Sequence, residues 1–266
     1  MTGDVAKSEK IKPKKTSAKQ TVKKAPPPEE AVKKSLRVKR KKNWLQRFVD
    51  RYIYRYLFRG LIAVVAVVAL FSVINPPTTF YMLKEKSRLG HVDHQWVSMD
   101  DISPHMLHAV VAAEDVNFCT HFGFDIGAIR QAVSEGGTRG ASTISQQTVK
   151  NTFLWPSRSW VRKAFEAVLT PLVEVLWSKR RILEVYLNVI EFDKGVFGVD
   201  AAAVHYFRKT PDRLSLTEAA LLAAILPNPK GRSASRPTQS VERRARAIAD
   251  GARTIRNTSK VSCFED

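Results

Sequence analysis

The chain has 266 residues, of which 44 are Lys or Arg and 25 are Asp or Glu, so its formal net charge is +19. The length suits one domain with appendages, and the hydrophobic fraction of 44% excludes a wholly disordered chain. Two cysteines are too few for a small disulfide-framework protein. A positive excess of this size is typical of proteins that bind nucleic acid or an anionic membrane surface.

The positive charge is concentrated at the start of the chain. Residues 1–59 contain 19 basic and five acidic residues, so they carry +14 of the net charge. Residues 1–51 are predicted to form a disordered basic tail. Most of this tail is rich in Lys, Ala and Pro, and it has too few apolar side chains to offset the entropy lost on folding. Such a tail, taken alone, is also compatible with nucleic-acid binding.

The segment after the tail favours a membrane. No charged residue occurs between Gly60 and Leu83, and residues 61–74 are apolar except for Ser72. Residues 52–76 are therefore predicted to form a transmembrane helix with an interfacial flank. A buried core helix and a cleaved signal peptide are the alternatives, but neither usually follows so long a basic segment. The positive-inside rule then places the N-terminus in the cytoplasm and residues 84–266 on the far side.

The rest of the chain has the pattern of helices. Ser103 followed by proline is typical of a helix start, and residues 160–177 have apolar side chains at helical spacing, which 181–190 continue. Ser215 and Glu218 have the spacing of a capping box that opens another helix. The sequence has no βαβ alternation, strand series or repeat. The prediction is therefore a mostly α fold with a single core.

Several familiar catalytic motifs do not occur in this sequence. It has no His-Glu-x-x-His, Cys-x-x-Cys or phosphate-loop motif, which removes the usual support for a zinc hydrolase or a nucleoside-triphosphate enzyme. No serine has a lysine three residues later, and Lys-Thr-Gly is missing. The serine acyltransferase signature of penicillin-binding proteins is therefore missing as well.

A dense run of polar residues lies among the predicted helices. It consists of Glu114, Asp115, His121 and Asp125, the stretch 140–147 with Lys150 and Asn151, and Arg158, Arg162, Lys163 and Glu166. Taken singly, each has an ordinary explanation, such as a solvated acidic pair or an i,i+4 surface ion pair. Together they supply a carboxylate that can move a proton and several cations suited to a diphosphate.

In this order and spacing, the residues resemble the five motifs of the bacterial peptidoglycan glycosyltransferases, glycosyltransferase family 51. The matching segments are 114–125, 140–151, 162–166, 182–202 and 218–229. One departure is Asp193, which stands near a position where the family usually has glycine, and which affects a loop more than the proposed site. Because the acyltransferase motifs are missing, the chain is similar to the monofunctional members.

The resemblance implies a lysozyme-like helical domain at 105–232, between a membrane-proximal linker at 77–104 and a C-terminal extension at 233–266. It implies that lipid II is polymerised by inverting transfer to the 4-hydroxyl of an acceptor sugar, with release of undecaprenyl diphosphate and no transpeptidase activity. The implied partners are lipid II, the growing lipid-linked glycan strand, the membrane and other cell-wall synthesis proteins, but not nucleic acid. The implied location is the inner membrane, with one span and a periplasmic catalytic domain.

The resemblance also assigns roles to individual residues. Glu114 matches the general base for the attacking hydroxyl, and Glu166 matches a second glutamate near the donor diphosphate. The implied substrate-binding residues are Asp115, Ser142, Thr143, Gln146, Gln147, Lys150, Asn151, Arg158, Arg162, Lys163 and Asn188. No residue is assigned to a metal and no cofactor is obligatory, although Mg²⁺ or Mn²⁺ can assist the diphosphate. The sequence leaves open whether Cys119 and Cys263 pair.

Two other classes of protein remain compatible with the sequence. A lysozyme-like hydrolase would share the helical architecture and a catalytic glutamate, but it need not carry the cations between Lys150 and Lys163. A membrane-anchored binding protein would hold lipid II without turnover, and it would have no need of Glu114 and Glu166.

Overall fold

The computed structural model describes residues 43–136, 140–157 and 159–265. The chain divides into two compact units, Met1–Tyr56 and Leu57–Asp266. In the first unit, the described residues are 43–56, and they form the start of helix α1 (Trp44–Phe71), which continues into the second unit. Residues 1–42, most of the predicted tail, lie outside the described residues.

Helix α1 begins and ends earlier than predicted. It begins at Trp44, inside the range assigned to the tail, so the predicted tail boundary at residue 51 is wrong. The reason is local: Trp44, Phe48 and Tyr52 follow one another at helical spacing, and neighbouring ring centroids are 6.3 and 4.3 Å apart. Within the described part of the chain, Gln46–Phe71 is the one segment long and apolar enough to cross a membrane.

The second unit consists mainly of helices, which confirms the predicted fold class. After α1 they are α2 (Phe80–Leu89), α3 (Pro104–Glu114), α4 (Ile126–Ser134), α5 (Ile144–Phe153), α6 (Trp160–Leu176), α7 (Lys179–Val189), α8 (Gly198–Phe207), α9 (Leu216–Ile225) and α10 (Gln239–Arg256).

The helix starts follow from local side-chain chemistry. Thr143 and Gln146 form a capping box at the start of α5, and Ser215 and Glu218 form the predicted capping box at α9. The apolar pattern that continues past residue 177 belongs to two helices. The break occurs because the hydroxyl of Ser178 accepts a hydrogen bond from the first turn of α7 and caps it.

Two groups of helices build the core. Helices α3, α9 and α10 pack against one another, and α5 packs against both α6 and α7. Met106 and Val110 of α3 are fully buried, as is Leu222 of α9. Glu114, at the end of α3, and the polar residues of α5 are therefore carried by elements that the core holds in place.

A small three-stranded sheet lies beside the helices and was not predicted. In this sheet β3 lies between β1, to which it is parallel, and β2, to which it is antiparallel. Asp93 is opposite Val196, and Glu191 is opposite Phe197. Strands of two or three residues are too short to produce an alternating sequence pattern. The strands are β1 (Asp93–His94), β2 (Glu191–Asp193) and β3 (Val196–Phe197).

Asp193, the departure from the family pattern, ends β2. Its carboxylate accepts a hydrogen bond from the hydroxyl of Tyr206 at 3.2 Å and lies 3.3 Å from Nε2 of His205. Both partners belong to α8. The substituted position is therefore held by contacts between the sheet and α8.

The segment 233–266 is part of the core, so the predicted domain boundary at residue 232 is wrong. Helix α10 buries one apolar face, on which Val241, Ile248 and Ile255 are each less than a tenth exposed. Beyond α10, Cys263 forms a disulfide bond with Cys119. The pairing that the sequence left open is therefore present in the structure.

Candidate active site

Glu114 lies at the edge of the core, where α3 ends. Its side chain is 14% exposed, and Nε2 of Gln147 donates a hydrogen bond to its Oε2 at 3.0 Å. The hydroxyl of the buried Tyr186 donates to Oε1 of Gln147 at 3.4 Å. This second contact turns the amide N–H of Gln147 toward the carboxylate, and so α5 and α7 together orient Glu114.

The surroundings of Glu114 favour its protonated form. Burial is the main cause and raises the pKa of this carboxyl above the usual value for glutamate. The hydrogen bond from Gln147 and the positive charges of Arg244 and Lys150 oppose that effect, and Asp115 adds to it. A carboxylate with a raised pKa is a stronger base than an exposed glutamate, as a general base requires.

Arg244 is a site residue that the sequence prediction missed. Its Nη2 lies 3.9 Å from Oε1 of Glu114. It belongs to α10, in the predicted C-terminal extension, and 130 positions separate it from Glu114 in the sequence. The one available signal was a pair of adjacent arginines on an amphipathic helix, which ordinarily marks a solvated face.

Asp115 connects two of the motifs. Its Oδ1 lies 2.9 Å from Nε2 of His121, and its Oδ2 accepts a hydrogen bond from the backbone N–H of Ile144 at 2.9 Å. The carboxylate therefore sits at the N-terminus of α5, where a negative charge is favourable. Asp115 borders a cavity, but protein groups engage both of its oxygens.

Three predicted substrate-binding residues have structural partners. Thr143 and Gln146 are 2% and 5% exposed, and they cap α5. Asn188 is fully buried, and its amide exchanges hydrogen bonds of 2.8 and 2.9 Å with the backbone of Val97. The structure therefore shows Asn188 joining α7 to the segment between β1 and α3, and its predicted place in the cleft stays a prediction.

A cation-bearing cavity of about 500 Å³ lies beside Gln147. Lys150 and Asn151 of α5 and Arg162 of α6 line it. Burial lowers the pKa of Lys150 overall, although the nearby Glu166 acts in the opposite direction. The structure thus brings together, around one cavity, predicted residues from the second and third motifs.

Glu166 is the centre of a charged cluster next to this cavity. Its side chain is 3% exposed; Nη1 of Arg162 lies 3.0 Å from its Oε2, and Nζ of Lys163 contacts its Oε1. Nζ of Lys163 also lies 3.4 Å from Oγ of Ser142. Arg158, the remaining predicted cation, lies outside the described residues.

Four aromatic or acidic residues that were not predicted also line this cavity. They are Tyr81, Trp155, Tyr186 and Glu191. Tyr186 occurs within a motif, but Tyr81 falls in the predicted linker, where no pattern indicated a role. The hydroxyl of Tyr81 contacts the Glu191 carboxylate; burial, followed by that contact, raises the pKa of Tyr81 to about 12.

A second cavity, of about 300 Å³, lies beside Glu114. Glu114, Asp115 and Ser142 line it, whereas Gln147 lines the cation-bearing cavity. The hydrogen bond between Glu114 and Gln147 therefore joins the two cavities. Among the described residues, no group of three or more His, Cys, Asp or Glu side chains is arranged to hold a metal ion.

The sequence of this chain is similar to a family profile and to curated proteins. The profile of the family described as Transglycosylase matches residues 82–253. A Jannaschia sp. protein is 55% identical over 205 residues, which are 77% of this chain and 85% of that protein. A Salmonella arizonae protein is 53% identical over 189 residues, which are 66% of this chain and 78% of that protein. A protein from Mannheimia succiniciproducens is 49% identical over 193 residues, which are 68% of this chain and 78% of that protein. All three are called biosynthetic peptidoglycan transglycosylase. The chain therefore belongs to the transglycosylase family of glycosyltransferases, as its five motifs predicted.

Proposed function

We propose that the protein is a peptidoglycan glycosyltransferase that polymerises lipid II. The observation that carries this proposal is the hydrogen bond between Glu114 and Gln147, which links a desolvated carboxylate that lines one cavity to an amide that lines a second, cation-bearing cavity. A base at this junction can take a proton from a hydroxyl on one side while cations stabilise a leaving group on the other. The family and the names of the relatives support the same reaction class.

The proposed reaction is an inverting transfer. The acceptor sugar occupies the cavity beside Glu114 and Ser142, with its 4-hydroxyl directed at the carboxylate. Glu114 removes the hydroxyl proton as the oxygen attacks the anomeric carbon of the growing chain. The bond from that carbon to the diphosphate oxygen breaks with its electron pair, the α-linkage becomes β, and undecaprenyl diphosphate leaves.

The leaving diphosphate is stabilised by the cations of the larger cavity. Lys150 and Arg162 line that cavity, and the half-exposed Lys163 extends beside them. Glu166 holds Arg162 and Lys163 in place through its two oxygens. These charges are fixed before the reaction starts, so they stabilise the transition state without reorganising. Arg158 is proposed as a further member of this set.

No cofactor is required by this mechanism. Both oxygens of Glu166 already contact cations, and the described residues contain no cluster of metal-ligating side chains. We therefore propose that Mg²⁺ or Mn²⁺, when it assists, is bound by the substrate diphosphate instead of a dedicated protein site.

We propose a single-pass location in the inner membrane, with the N-terminus in the cytoplasm and residues 84–266 in the periplasm. The concentration of positive charge before residue 60 and the apolar segment Gln46–Phe71 support this orientation. The disulfide between Cys119 and Cys263 supports it independently, because such bonds persist in the oxidising periplasm.

The proposed partners follow from this location and reaction. They are lipid II, the growing lipid-linked strand, the membrane and other cell-wall synthesis proteins. The basic tail is assigned to anionic lipid and not to nucleic acid, because an apolar span follows it directly. Since the acyltransferase motifs are missing from the sequence, we propose that the protein lacks transpeptidase activity.

The decisive experiment incubates the full-length protein with lipid II in vesicles. We expect glycan polymer with β-linkages and an equivalent release of undecaprenyl diphosphate. The variant Glu114→Gln serves as the matched control, since it keeps the side-chain size and removes the proton acceptor. Cleavage of preformed glycan would instead identify a lytic enzyme, and binding of lipid II without turnover would identify a binding protein.

A further inference from the structure

Arg181, in the first turn of α7, holds the end of α1. Its Nε donates to the carbonyl oxygen of Phe71 at 3.1 Å, and its Nη2 donates to the carbonyl oxygens of Phe71 and Ile74 at 3.1 and 3.0 Å. Its Nη1 donates to Oδ1 of Asn75 at 2.9 Å. A single guanidinium therefore contacts three positions at the end of the apolar helix.

Core residues contact the same guanidinium. Nη1 of Arg181 lies 2.6 Å from Oε2 of Glu184, and the guanidinium carbon lies 5.3 Å from the ring centroid of Trp96. The side chain is 11% exposed. All three nitrogens of the planar fork therefore have hydrogen-bond partners, which fixes its orientation.

Helix α1 does not supply this interaction from its own sequence. The last turn of an α-helix leaves carbonyl groups without intrahelical donors and carries partial negative charge, which a nearby cation stabilises. The last turn of α1 contains no basic residue. Arg181 therefore provides, from another helix, the donors to the carbonyl oxygen of Phe71 and the missing positive charge.

Two further contacts fix the same end of α1. Nε1 of Trp177 donates to the carbonyl oxygen of Val68 at 2.7 Å, and both residues are buried. The ring of Phe71 stacks on that of Phe153, the last residue of α5, with centroids 5.9 Å apart. The end of α1 is thus attached to α7 and to α5, the helix that carries the cation Lys150.

We propose that Arg181 is a positioning residue that fixes the C-terminal end of α1 to α7 and so sets the distance between the catalytic cleft and the bilayer surface. This inference rests on the proposed function, in which the substrate diphosphate is held at that surface by its polyprenyl chain. A shift of the cleft relative to the bilayer misplaces a lipid-anchored substrate. It leaves a freely diffusing one unaffected.

The test compares Arg181→Gln with Arg180→Gln in full-length protein reconstituted into phospholipid vesicles. Arg180 is the adjacent arginine; it pairs with Asp100 and donates to the carbonyl oxygen of Phe264 at 2.9 Å, so it contacts the core and not α1. The same vesicles receive either full-length lipid II in the bilayer or a short-chain, water-soluble lipid II analogue. Both reactions thus use one enzyme preparation.

We expect Arg181→Gln to lower the ratio of membrane-substrate to soluble-substrate rate at least about tenfold, since a displacement of about 1 Å can cost a larger factor than this. Arg180→Gln should leave the ratio unchanged, even if it lowers both rates. An equal loss on both substrates, or no loss on lipid II, would overturn the proposal. If Arg181→Gln does not fold, Arg181→Lys, which keeps the charge but loses the fork, should give a smaller change in the same ratio.

Hydrogen exchange provides a readout that does not depend on activity. Backbone amides of residues 71–75 should exchange faster in Arg181→Gln than in the wild type, and Arg180→Gln should match the wild type there. Unchanged exchange would overturn the docking of α1 by Arg181. Wild-type protein that polymerises neither substrate would defeat the proposed function, whereas the exchange experiment would still decide whether Arg181 docks α1.

Discussion

Glu114 and Glu166 are both carboxylates with little exposed surface, but their neighbours differ. Glu114 accepts a hydrogen bond from a neutral amide and has the cation Arg244 at 3.9 Å. Glu166 contacts Arg162 and Lys163 directly, one with each oxygen. The Glu114 carboxylate can accept a proton from substrate, whereas the Glu166 carboxylate binds its two cations with both oxygens. We therefore expect substitutions of the two residues to have different effects on the polymerisation rate and on donor binding.

Glu114→Gln should slow polymerisation at least about 100-fold, the range expected for loss of a general base, and leave binding of a diphosphate-containing donor analogue intact. Glu166→Gln should weaken binding of the analogue as well as the rate, because Arg162 and Lys163 lose the group that holds them. Polymer formation and analogue binding are measured on both folded variants. A wild-type rate in Glu114→Gln would place the base elsewhere.

Arg244→Gln should shift the acid limb of the pH–rate profile to higher pH. The pKa of Glu114 is already raised by burial, and the positive charge of Arg244 counteracts that rise. Removing the charge raises the pKa further, so the reactive carboxylate is lost at a higher pH as the pH falls. Well above the pKa the rate should change little. The exposed neighbour Arg243→Gln is the control, and an identical shift in both variants would exclude a specific role for Arg244.

At the scale of single residues, the sequence is informative where residues act within a short segment. Glu114, Lys150 and Arg162 were predicted from the resemblance to the family motifs, and the structure places them in the linings of two cavities that the hydrogen bond between Glu114 and Gln147 connects. A motif does not say whether a polar side chain faces a ligand or the backbone. Asn188 faces the backbone of Val97, and the sequence alone does not reveal this orientation.

Secondary-structure elements were predictable where a local side-chain interaction creates them. The capping box of α9 was predicted and is present. The short sheet was not, because strands of two or three residues depend on partners distant in sequence and not on a repeating pattern. The start of α1 differs from the prediction because basic residues are typical of a disordered tail, whereas the ring contacts of Trp44, Phe48 and Tyr52 stabilise a helix there.

The turn from β3 into α8 depends on Gly198. Its φ is +81°, and a Cβ atom added there would lie 2.9 Å from the backbone oxygen of Asn188. Gly198→Ala should therefore lower the free energy of unfolding by about 1–3 kcal/mol, the usual cost of a residue held in a disfavoured conformation. Thermal unfolding in detergent measures the change.

Gly90 offers a matched control for this substitution. Its φ is +88°, but a Cβ atom there would have no neighbour within 4 Å. Gly90→Ala should lower the free energy of unfolding by about 1 kcal/mol, which is the cost of the backbone conformation alone. If the two variants unfold at the same temperature, the close approach of Gly198 to Asn188 makes no contribution of its own.

Over the whole molecule, the Cys119–Cys263 bond closes a very long loop, since the sequence separation of the two cysteines is 144. Replacing both residues with serine should destabilise the domain by up to about 5 kcal/mol, from the loop-closure entropy regained by the unfolded chain. We expect reductant to lower the melting temperature of the wild type to that of the double variant and to leave the variant unchanged. Two free thiols in protein purified without reductant would contradict the pairing.

The organisation of the whole chain was predicted in part. Charge and hydropathy are averages over many residues, so they indicated the apolar segment without knowledge of the fold. The role of the last part of the chain was missed, because α10 is amphipathic and its burial depends on α3 and α9. An amphipathic helix can lie against a domain or on its outside, and its own residues do not distinguish the two.

The long separation of the two cysteines has a consequence for biogenesis. In the proposed topology Cys119 emerges from the export machinery first, and Cys263 follows only after almost all of the domain has crossed. Until then the thiol of Cys119 has no native partner, and the loop that follows Glu114 is not yet tethered to the segment beyond α10. Covalent closure therefore comes late in maturation, and it makes the yield of finished enzyme dependent on the supply of oxidant in the compartment that receives it.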